Sequence, residues 1–262
     1  MYDIQLRFTA LAPSLGWCAG LIIAAALAVV QAPAVSAEDV NTGPKVPTNI
    51  WAISRGGQLY DKWWAVIEAD EPETTHPAYP ANGKKSGSTT WRCKECHGWD
   101  YKGVDGAYSK GSHRSGIKGV RAMADVDPET IHEVLLDETH GYTEEMMSHS
   151  AMRKIALFVS LGQIDMDRYI DRATKQAHGD LQRGAQFFQT ICANCHGFDG
   201  KEINFRSDDD PEYVGTVAAN NPWEALHKIR FGQPGVGMVS LSVLSIQEQV
   251  DILAYSQTLP TK

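Results

Sequence analysis

The sequence has little positive charge. It contains 24 lysines and arginines against 32 aspartates and glutamates, which gives a formal net charge of −8 at pH 7. Because proteins that bind nucleic acid neutralise its phosphates with basic side chains, the composition gives no electrostatic case for nucleic acid as a partner. The two acidic runs, at residues 68–73 and 208–210, are predicted to be solvated loops.

The sequence also lacks a long apolar run. Residues 15–30 are almost wholly apolar, but this stretch is short for a membrane span. The small residues at 34–37 and the charged pair that follows them are typical of a signal-peptidase site. We therefore predict that residues 1–37 are a cleaved signal peptide and that the protein is periplasmic. If the signal is not cleaved, the same segment anchors the protein to the membrane.

The sequence also has few cysteines. Of five cysteines, Cys18 lies in the predicted signal peptide, and the other four occupy two identical frames. The frames read C-K-E-C-H at residues 93–97 and C-A-N-C-H at residues 192–196. Since both frames use all the remaining thiols, the mature chain has none left for a structural disulfide.

The frame C-x-x-C-H is the signature of covalent c-type haem attachment. Two thiols add across the haem vinyl groups, and the histidine that follows binds the iron. A redox dithiol does not need the histidine, and a zinc site has no use for it in this frame. Two copies in an exported chain therefore predict two covalently bound haem c groups. The predicted attachment and proximal residues are Cys93, Cys96 and His97 for the first haem, and Cys192, Cys195 and His196 for the second.

Apolar residues at helical spacing flank the second frame. One stripe precedes the frame, and another lies near the C-terminus. Ser245 followed by Glu248 forms a capping box at the start of the C-terminal helix. Two terminal helices with a loop rich in glycine and proline between them indicate a small all-α domain wrapped around a cofactor. The stripes comprise Phe187, Phe188 and Ile191, then Ile246, Val250, Leu253 and Ala254.

The second half, with its segments RGAQFFQTICANCHGFDG, NPWEALHKIRFGQPGVGM and SIQEQVDILAYSQTLP, resembles a class I cytochrome c module. The whole chain resembles the di-haem cytochromes c built from two such modules. The resemblance implies that a helix with Gly184 and Phe188 crosses a C-terminal helix with Tyr255. It also implies that Met238 is the sixth ligand of the second haem, although Val239 stands where the family usually has proline.

The first half repeats this plan with an insertion. RGGQLYDKWW at residues 55–64 parallels RGAQFFQTIC at residues 183–192, so that Gly56 matches Gly184. Trp64 stands in the place of Cys192, and the first haem frame begins 29 residues after it. Prolines, glycines and polar residues predict that the insertion, at about residues 65–90, is a loop. Such a loop covers a haem edge, forms a docking surface, or is plain solvent-exposed packing.

These patterns predict an all-α fold of two tandem cytochrome c-like domains, each wrapped around one covalent haem. The first domain is assigned to residues 38–162 and the second to residues 181–262. Residues 163–180 are charged and compatible with a helix. We expect them to form a largely helical linker rather than a loose tether.

The sixth ligand of the first haem follows from the register of the two halves. The last helices of the halves align when Ser148 is matched with Ser245. Met238 lies seven residues before Ser245, and seven residues before Ser148 is Gly141, next to His140. The sequence therefore favours His140 as the sixth ligand.

Other side chains near His140 remain alternatives. Met146 is the main rival, since it lies on the same predicted loop. Met147 and His149 are less favoured, and an open sixth site is a further alternative. Met147 and the helical Met152 are instead expected to be core residues.

The remaining histidines are predicted to have structural roles. His132 and His227 occupy equivalent positions in the two halves, which indicates shared packing or hydrogen bonding. His113 is expected to be solvated, with a hydrogen bond to a haem propionate as the alternative. His76 and His178 are expected to be surface or linker residues.

Fixed coordination at both irons favours an electron carrier over an enzyme. The expected function is single-electron transfer between a periplasmic oxidoreductase and a respiratory or photosynthetic acceptor, through redox partner proteins whose identity the sequence does not give. The alternatives are a peroxidase-like or sulfur-compound-oxidising di-haem enzyme, and a cytochrome subunit docked in a larger oxidoreductase complex. The sulfur-oxidising class typically uses an extra cysteine at an iron, which the mature chain lacks.

Overall fold

The computed structural model describes residues 48–262, so the predicted signal peptide and Cys18 lie outside the described residues. Within this range the protein is built from helices and turns, and it contains no strand, as an all-α fold requires. Two isolated bridges, Gly103 with Lys118 and Ile170 with Ala177, are the only strand-like pairings there. The helices are α1 (Asn49–Ile67), α2 (Cys93–His97), α3 (Pro128–Leu135), α4 (His149–Leu157), α5 (Leu181–Phe187), α6 (Ala193–His196), α7 (Val214–Asn220), α8 (Pro222–Phe231) and α9 (Ile246–Ser256).

Polar side chains cap the longer helices. Ser245 accepts a hydrogen bond from the Glu248 amide, and the Glu248 carboxylate accepts one from the Ser245 amide. This is the predicted capping box. Ser148 caps α4 in the matching position by accepting a hydrogen bond from the Ala151 amide. The last helices of the two halves therefore begin at the residues that the register predicted.

Each half contains a close crossing of its first and last helices. In the first half α1 crosses α4 at Gly56, where a methyl group would lie 1.9 Å from the Lys154 carbonyl oxygen. In the second half α5 crosses α9 at Gly184, where a methyl group would lie 2.0 Å from the Asp251 carbonyl oxygen. Only glycine allows backbones to approach this closely. The same crossing thus occurs twice, at the two glycines that the sequence pairs.

The two halves share one core. Residues 48–262 belong to a single compact unit. Phe231 of α8 is fully buried against Gly57 of α1, and its ring packs edge-on against Phe158 with a centroid separation of 5.2 Å. A smaller apolar cluster, made of Phe188, Ala193 and Leu259, belongs to the second half alone.

The linker differs from its prediction. Among residues 163–180 only Met166–Arg168 form a helical turn, so the expectation of a largely helical linker is wrong. The Asp171 carboxylate accepts hydrogen bonds from the amides of Ala173 and Thr174, which favours a turn over a helix. The chain then reverses, and Ile170 pairs with Ala177. The segment is nevertheless fixed in place rather than loose.

The insertion and the acidic runs lie in loops. Between the end of α1 and the start of α2, the only helical segment is the 3₁₀ turn Gly87–Trp91. Most side chains of residues 68–73 and all of those of residues 208–210 are exposed, as predicted for solvated segments. In the part of the chain from residue 48 onward, no helix combines the length and the apolar character needed to cross a bilayer.

Candidate functional site

The first C-x-x-C-H frame forms the short helix α2, which follows the insertion directly. Burial raises the pKa of the Cys93 thiol to about 11 and that of Cys96 to about 12. Reactive dithiols have the opposite property, since a lowered pKa makes the thiolate available. The surroundings of these thiols therefore do not suit a redox dithiol, but they do suit contact with an apolar ligand.

His97 closes this frame, and its ring is oriented by the backbone. Its Nδ1 donates a hydrogen bond to the Lys118 carbonyl oxygen at 2.7 Å. Burial lowers the pKa of His97 to about 4, so the ring is neutral at physiological pH. Since Nδ1 carries the proton, the lone pair lies on Nε2. A histidine held in this way has the state of a metal ligand.

His140 is oriented in a similar manner. Its Nδ1 lies 3.1 Å from the Asp137 carboxylate, which also accepts a hydrogen bond from the His140 amide at 2.9 Å. The ring lies opposite that of His97, with a centroid separation of 6.3 Å and an interplanar angle of 30°. Two imidazoles that bind one metal ion from opposite sides, through nitrogen at about 2 Å, hold their ring centres about 6 Å apart. The structure thus brings together the two histidines that the register paired.

The rival ligands occupy other environments. Met147 and Met152 are fully buried in the core, as predicted. The Nδ1 of His149 lies 3.0 Å from the Nε2 of His132, so this imidazole pairs with another histidine. Met146 is half-buried and packs against the core. Of the candidates, His140 is the one whose ring faces His97.

The second frame lies on the π-helical turn Phe188–Cys192 and on α6. Burial raises the pKa of Cys192 to about 11 and lowers that of His196, whereas Cys195 is exposed. The Nδ1 of His196 is buried and has no hydrogen-bond partner in the described part of the chain. This orphaned nitrogen distinguishes His196 from His97, whose Nδ1 is bonded.

Met238 lies in the loop between α8 and α9 and is half-buried. Its backbone carbonyl packs against Gly232, at the end of α8. The ligation of the second haem by Met238 stays a prediction from the resemblance.

His132 and His227 have the structural roles that the sequence predicted. Both are buried, and His227 lies at the centre of the shared core. Its Nδ1 is 2.9 Å from the Tyr101 hydroxyl and its Nε2 is 2.9 Å from the Gly57 carbonyl oxygen. His227 therefore ties α8 to the first half of the chain.

Two histidines depart from their predictions. His113 is partly exposed, but its Nδ1 lies 2.8 Å from the buried Glu95 carboxylate. His76 was expected at the surface, and this prediction is wrong because the residue is only 8% exposed. Its Nε2 donates a hydrogen bond to the His140 carbonyl oxygen at 3.0 Å. The sequence contains no sign of this contact, because the partner of His76 is a backbone atom 64 residues away and the insertion has the composition of a loop.

No protein-family model and no curated protein matches this sequence.

The residues of the first site fit a haem c group. No cluster of three or more His, Cys, Asp or Glu side chains in residues 48–262 has the geometry to hold a metal ion by itself. A haem needs fewer protein ligands, because its macrocycle supplies the others. Two buried thiols, and two imidazoles whose ring centres lie 6.3 Å apart, meet that requirement. In the second site the thiols and His196 fit the attachment of the same group.

Proposed function

We propose that this protein is an exported, di-haem c-type cytochrome that carries single electrons between partner proteins. The observation that carries the proposal is the pairing of His97 with His140 across 6.3 Å, next to a complete C-x-x-C-H frame. The doubled helix crossing at Gly56 and Gly184 supports the reading of the chain as two related cytochrome c-like domains.

In the first domain, Cys93 and Cys96 would hold the haem covalently, and His97 and His140 would bind its iron. In the second, Cys192, Cys195 and His196 would have the corresponding roles, with Met238 as the sixth ligand. Bound haem supplies a centre that gains and loses one electron.

The chain itself fixes the geometry of this centre. Lys118 and Asp137 accept hydrogen bonds from the two Nδ1 atoms, which leaves the Nε2 lone pair of each ring free to bind a metal. With both imidazoles held in this way, a bound haem iron would have two protein ligands and would offer no position to a substrate. Such fixed coordination suits electron transfer and does not suit peroxidase chemistry.

Mass spectrometry and spectroscopy of the exported protein test this proposal. The mature chain should begin at Glu38 and carry two haem additions. One haem should show the electron paramagnetic resonance signal of a low-spin centre with two imidazole ligands. His140→Ala should convert that centre to a high-spin form that binds carbon monoxide when reduced, because it removes one ligand and leaves His97.

Met238→Ala is the matched variant for the other site. It should leave the bis-imidazole signal unchanged and abolish a near-infrared methionine-to-iron band. A wild-type protein with one haem or none, or with a high-spin first haem that reacts with peroxide, would contradict the carrier function.

A further inference from the structure

The insertion folds back on itself between α1 and α2. The Trp91 indole donates a hydrogen bond to the Thr74 carbonyl oxygen at 2.8 Å, and the Gly87 amide donates one to the Thr75 hydroxyl at 2.9 Å. The His76 amide donates to the Thr90 hydroxyl at 2.8 Å. These bonds join residues 74–76 to residues 87–91, so the segment is a folded unit and not a loose loop.

His76 lies on the inner side of this unit. Its ring packs on Trp91 with a centroid separation of 4.3 Å. The Ala78 amide donates a hydrogen bond to Nδ1 at 3.1 Å, so the proton of the neutral ring must lie on Nε2. The Nε2–H group can then only donate, and it does so to the His140 carbonyl oxygen at 3.0 Å. Local contacts thus fix both the position of the ring and its hydrogen-bonding direction.

A second hydrogen bond joins the same two segments. The hydroxyl of Tyr142, two residues after His140, donates to the Trp91 carbonyl oxygen at 2.9 Å and is buried. Trp91 lies two residues before Cys93, so the end of the insertion leads directly into the haem frame. The segment that carries His140 is therefore attached to the insertion at residues 140 and 142.

The two halves differ in the segment before the C-x-x-C-H frame and in the expected sixth ligand. In the second half, α5 continues through a π-helical turn into Cys192 without an insertion. The ligand expected there is Met238, on a loop, and not a histidine. The insertion and the histidine ligand thus occur together in the first half, and His76 connects them.

We propose that His76 is a positioning residue: from the insertion, it holds the His140 backbone so that the His140 ring stays opposite His97. This inference rests on the proposed haem ligation by His140 and assigns a role to the insertion. Asp137 holds His140 from the N-terminal side through its amide and its ring. His76 holds it from the C-terminal side through its carbonyl group.

The test compares three variants with the wild-type, haem-loaded protein. His76→Phe keeps an aromatic ring against Trp91 but has no donor for the His140 carbonyl. His76→Gln restores an N–H donor at a similar reach. Tyr79→Phe is the matched control, because the buried Tyr79 hydroxyl belongs to the same insertion and makes no hydrogen bond to the segment that carries His140.

The readouts are the bis-imidazole electron paramagnetic resonance signal and the binding of carbon monoxide to the reduced protein. His76→Phe should increase the fraction of the first haem that binds carbon monoxide at a subsaturating concentration. The release of His140 from the iron should become about 10-fold more favourable, which corresponds to the loss of one buried hydrogen bond. His76→Gln should bring the fraction of carbon monoxide-bound first haem most of the way back to that of the wild type. Tyr79→Phe should leave this fraction unchanged.

The second haem is the internal control, since its methionine band should persist in all variants. If His76→Phe behaves like Tyr79→Phe, the positioning role is wrong while the ligation by His140 stands. If His76→Phe and His76→Gln both lose haem at the two sites, His76 serves folding in general, and the proposal is overturned. If the wild type has no bis-imidazole signal, the proposed ligation fails first, and the role of His76 falls with it.

Discussion

Asp61 is fully buried between the two halves of the chain. Its carboxylate pairs with Arg92, next to the first C-x-x-C-H frame, and with Lys228 of α8. Burial alone raises the pKa of Asp61, but the charges of Lys228 and Arg92 outweigh this effect and lower the pKa to about 2. One carboxylate thus neutralises two cations that come from segments far apart in the sequence.

Asp61→Asn should destabilise the protein by about 3 kcal/mol, because it leaves two partly buried cations without their counter-charge. Urea unfolding followed by circular dichroism measures this change. Asp210→Asn is the control, since Asp210 pairs with Arg206 at the surface. The control substitution should destabilise the protein by less than about 1 kcal/mol. Equal effects of the two substitutions would contradict the role of Asp61.

The lowered pKa of Asp61 also predicts that the stability of the protein depends on pH. Because its pKa in the folded state lies below the ordinary value of 3.8, its contribution to stability is fully present above about pH 4. That contribution is lost as the pH falls from about 4 to about 2, and it amounts to about 2 kcal/mol. The difference in stability between the wild type and Asp61→Asn should therefore narrow by this amount between pH 5 and pH 2. A constant difference over this range would show that Asp61 does not titrate as proposed.

At the scale of elements, the helix crossings set a strict limit on side-chain size. Gly184→Ala should destabilise the protein by about 1–3 kcal/mol, because the new methyl group would overlap the Asp251 carbonyl oxygen and push α5 away from α9. Gly237→Ala is the control, since a methyl group there meets no atom within 4 Å. Thermal unfolding of the two variants measures the difference. A tolerated Gly184→Ala would mean that the crossing adjusts easily.

The crossings were predictable from the sequence because each depends on local signals that occur twice. The glycines at 56 and 184 and the helix caps at Ser148 and Ser245 stand in matching positions, so one half predicts the other. The pairing of His97 with His140 came from the same register. Local composition could not reveal the turn at Asp171, since a charged segment compatible with a helix also suits a turn.

Other contacts had no signal in the sequence. The Nε2 atoms of His76 and His227 donate hydrogen bonds to backbone carbonyl groups. These partners lie 64 and 170 residues away along the sequence. Any residue provides a carbonyl group, so no residue type marks the partner. The shared core was hidden for a similar reason, because an apolar stripe does not specify which half of the chain it packs against.

At the scale of the whole molecule, the shared core predicts that the halves unfold together. Phe231→Ala should destabilise the protein by about 3–5 kcal/mol, and hydrogen exchange should become faster in α1 as well as in α8 and α9. The reason is that Phe231 packs on Gly57 and on Phe158 of the first half.

Leu259→Ala is the matched substitution for this experiment. Leu259 belongs to the small cluster with Phe188 and Ala193, so its effect on exchange should be concentrated in the second half. Hydrogen exchange measured by mass spectrometry separates the two patterns. If Phe231→Ala leaves exchange in α1 unchanged, the halves are independent folding units.

The position of α8 over the first half has a consequence for the order of events after synthesis. Gly57 receives its partner His227 only when a further 170 residues have been synthesised, so this part of α1 lacks its final packing partner until then. Lys94 and Glu95, the two middle residues of the first frame, are also buried in the finished protein, and Lys94 shares the Trp99 ring with Lys228 of α8. If the first frame binds haem as proposed, an enzyme that attaches the haem would reach these residues more easily before α8 packs against them. Contacts between residues so far apart in the sequence form slowly, which lengthens the interval before α8 packs against the first half.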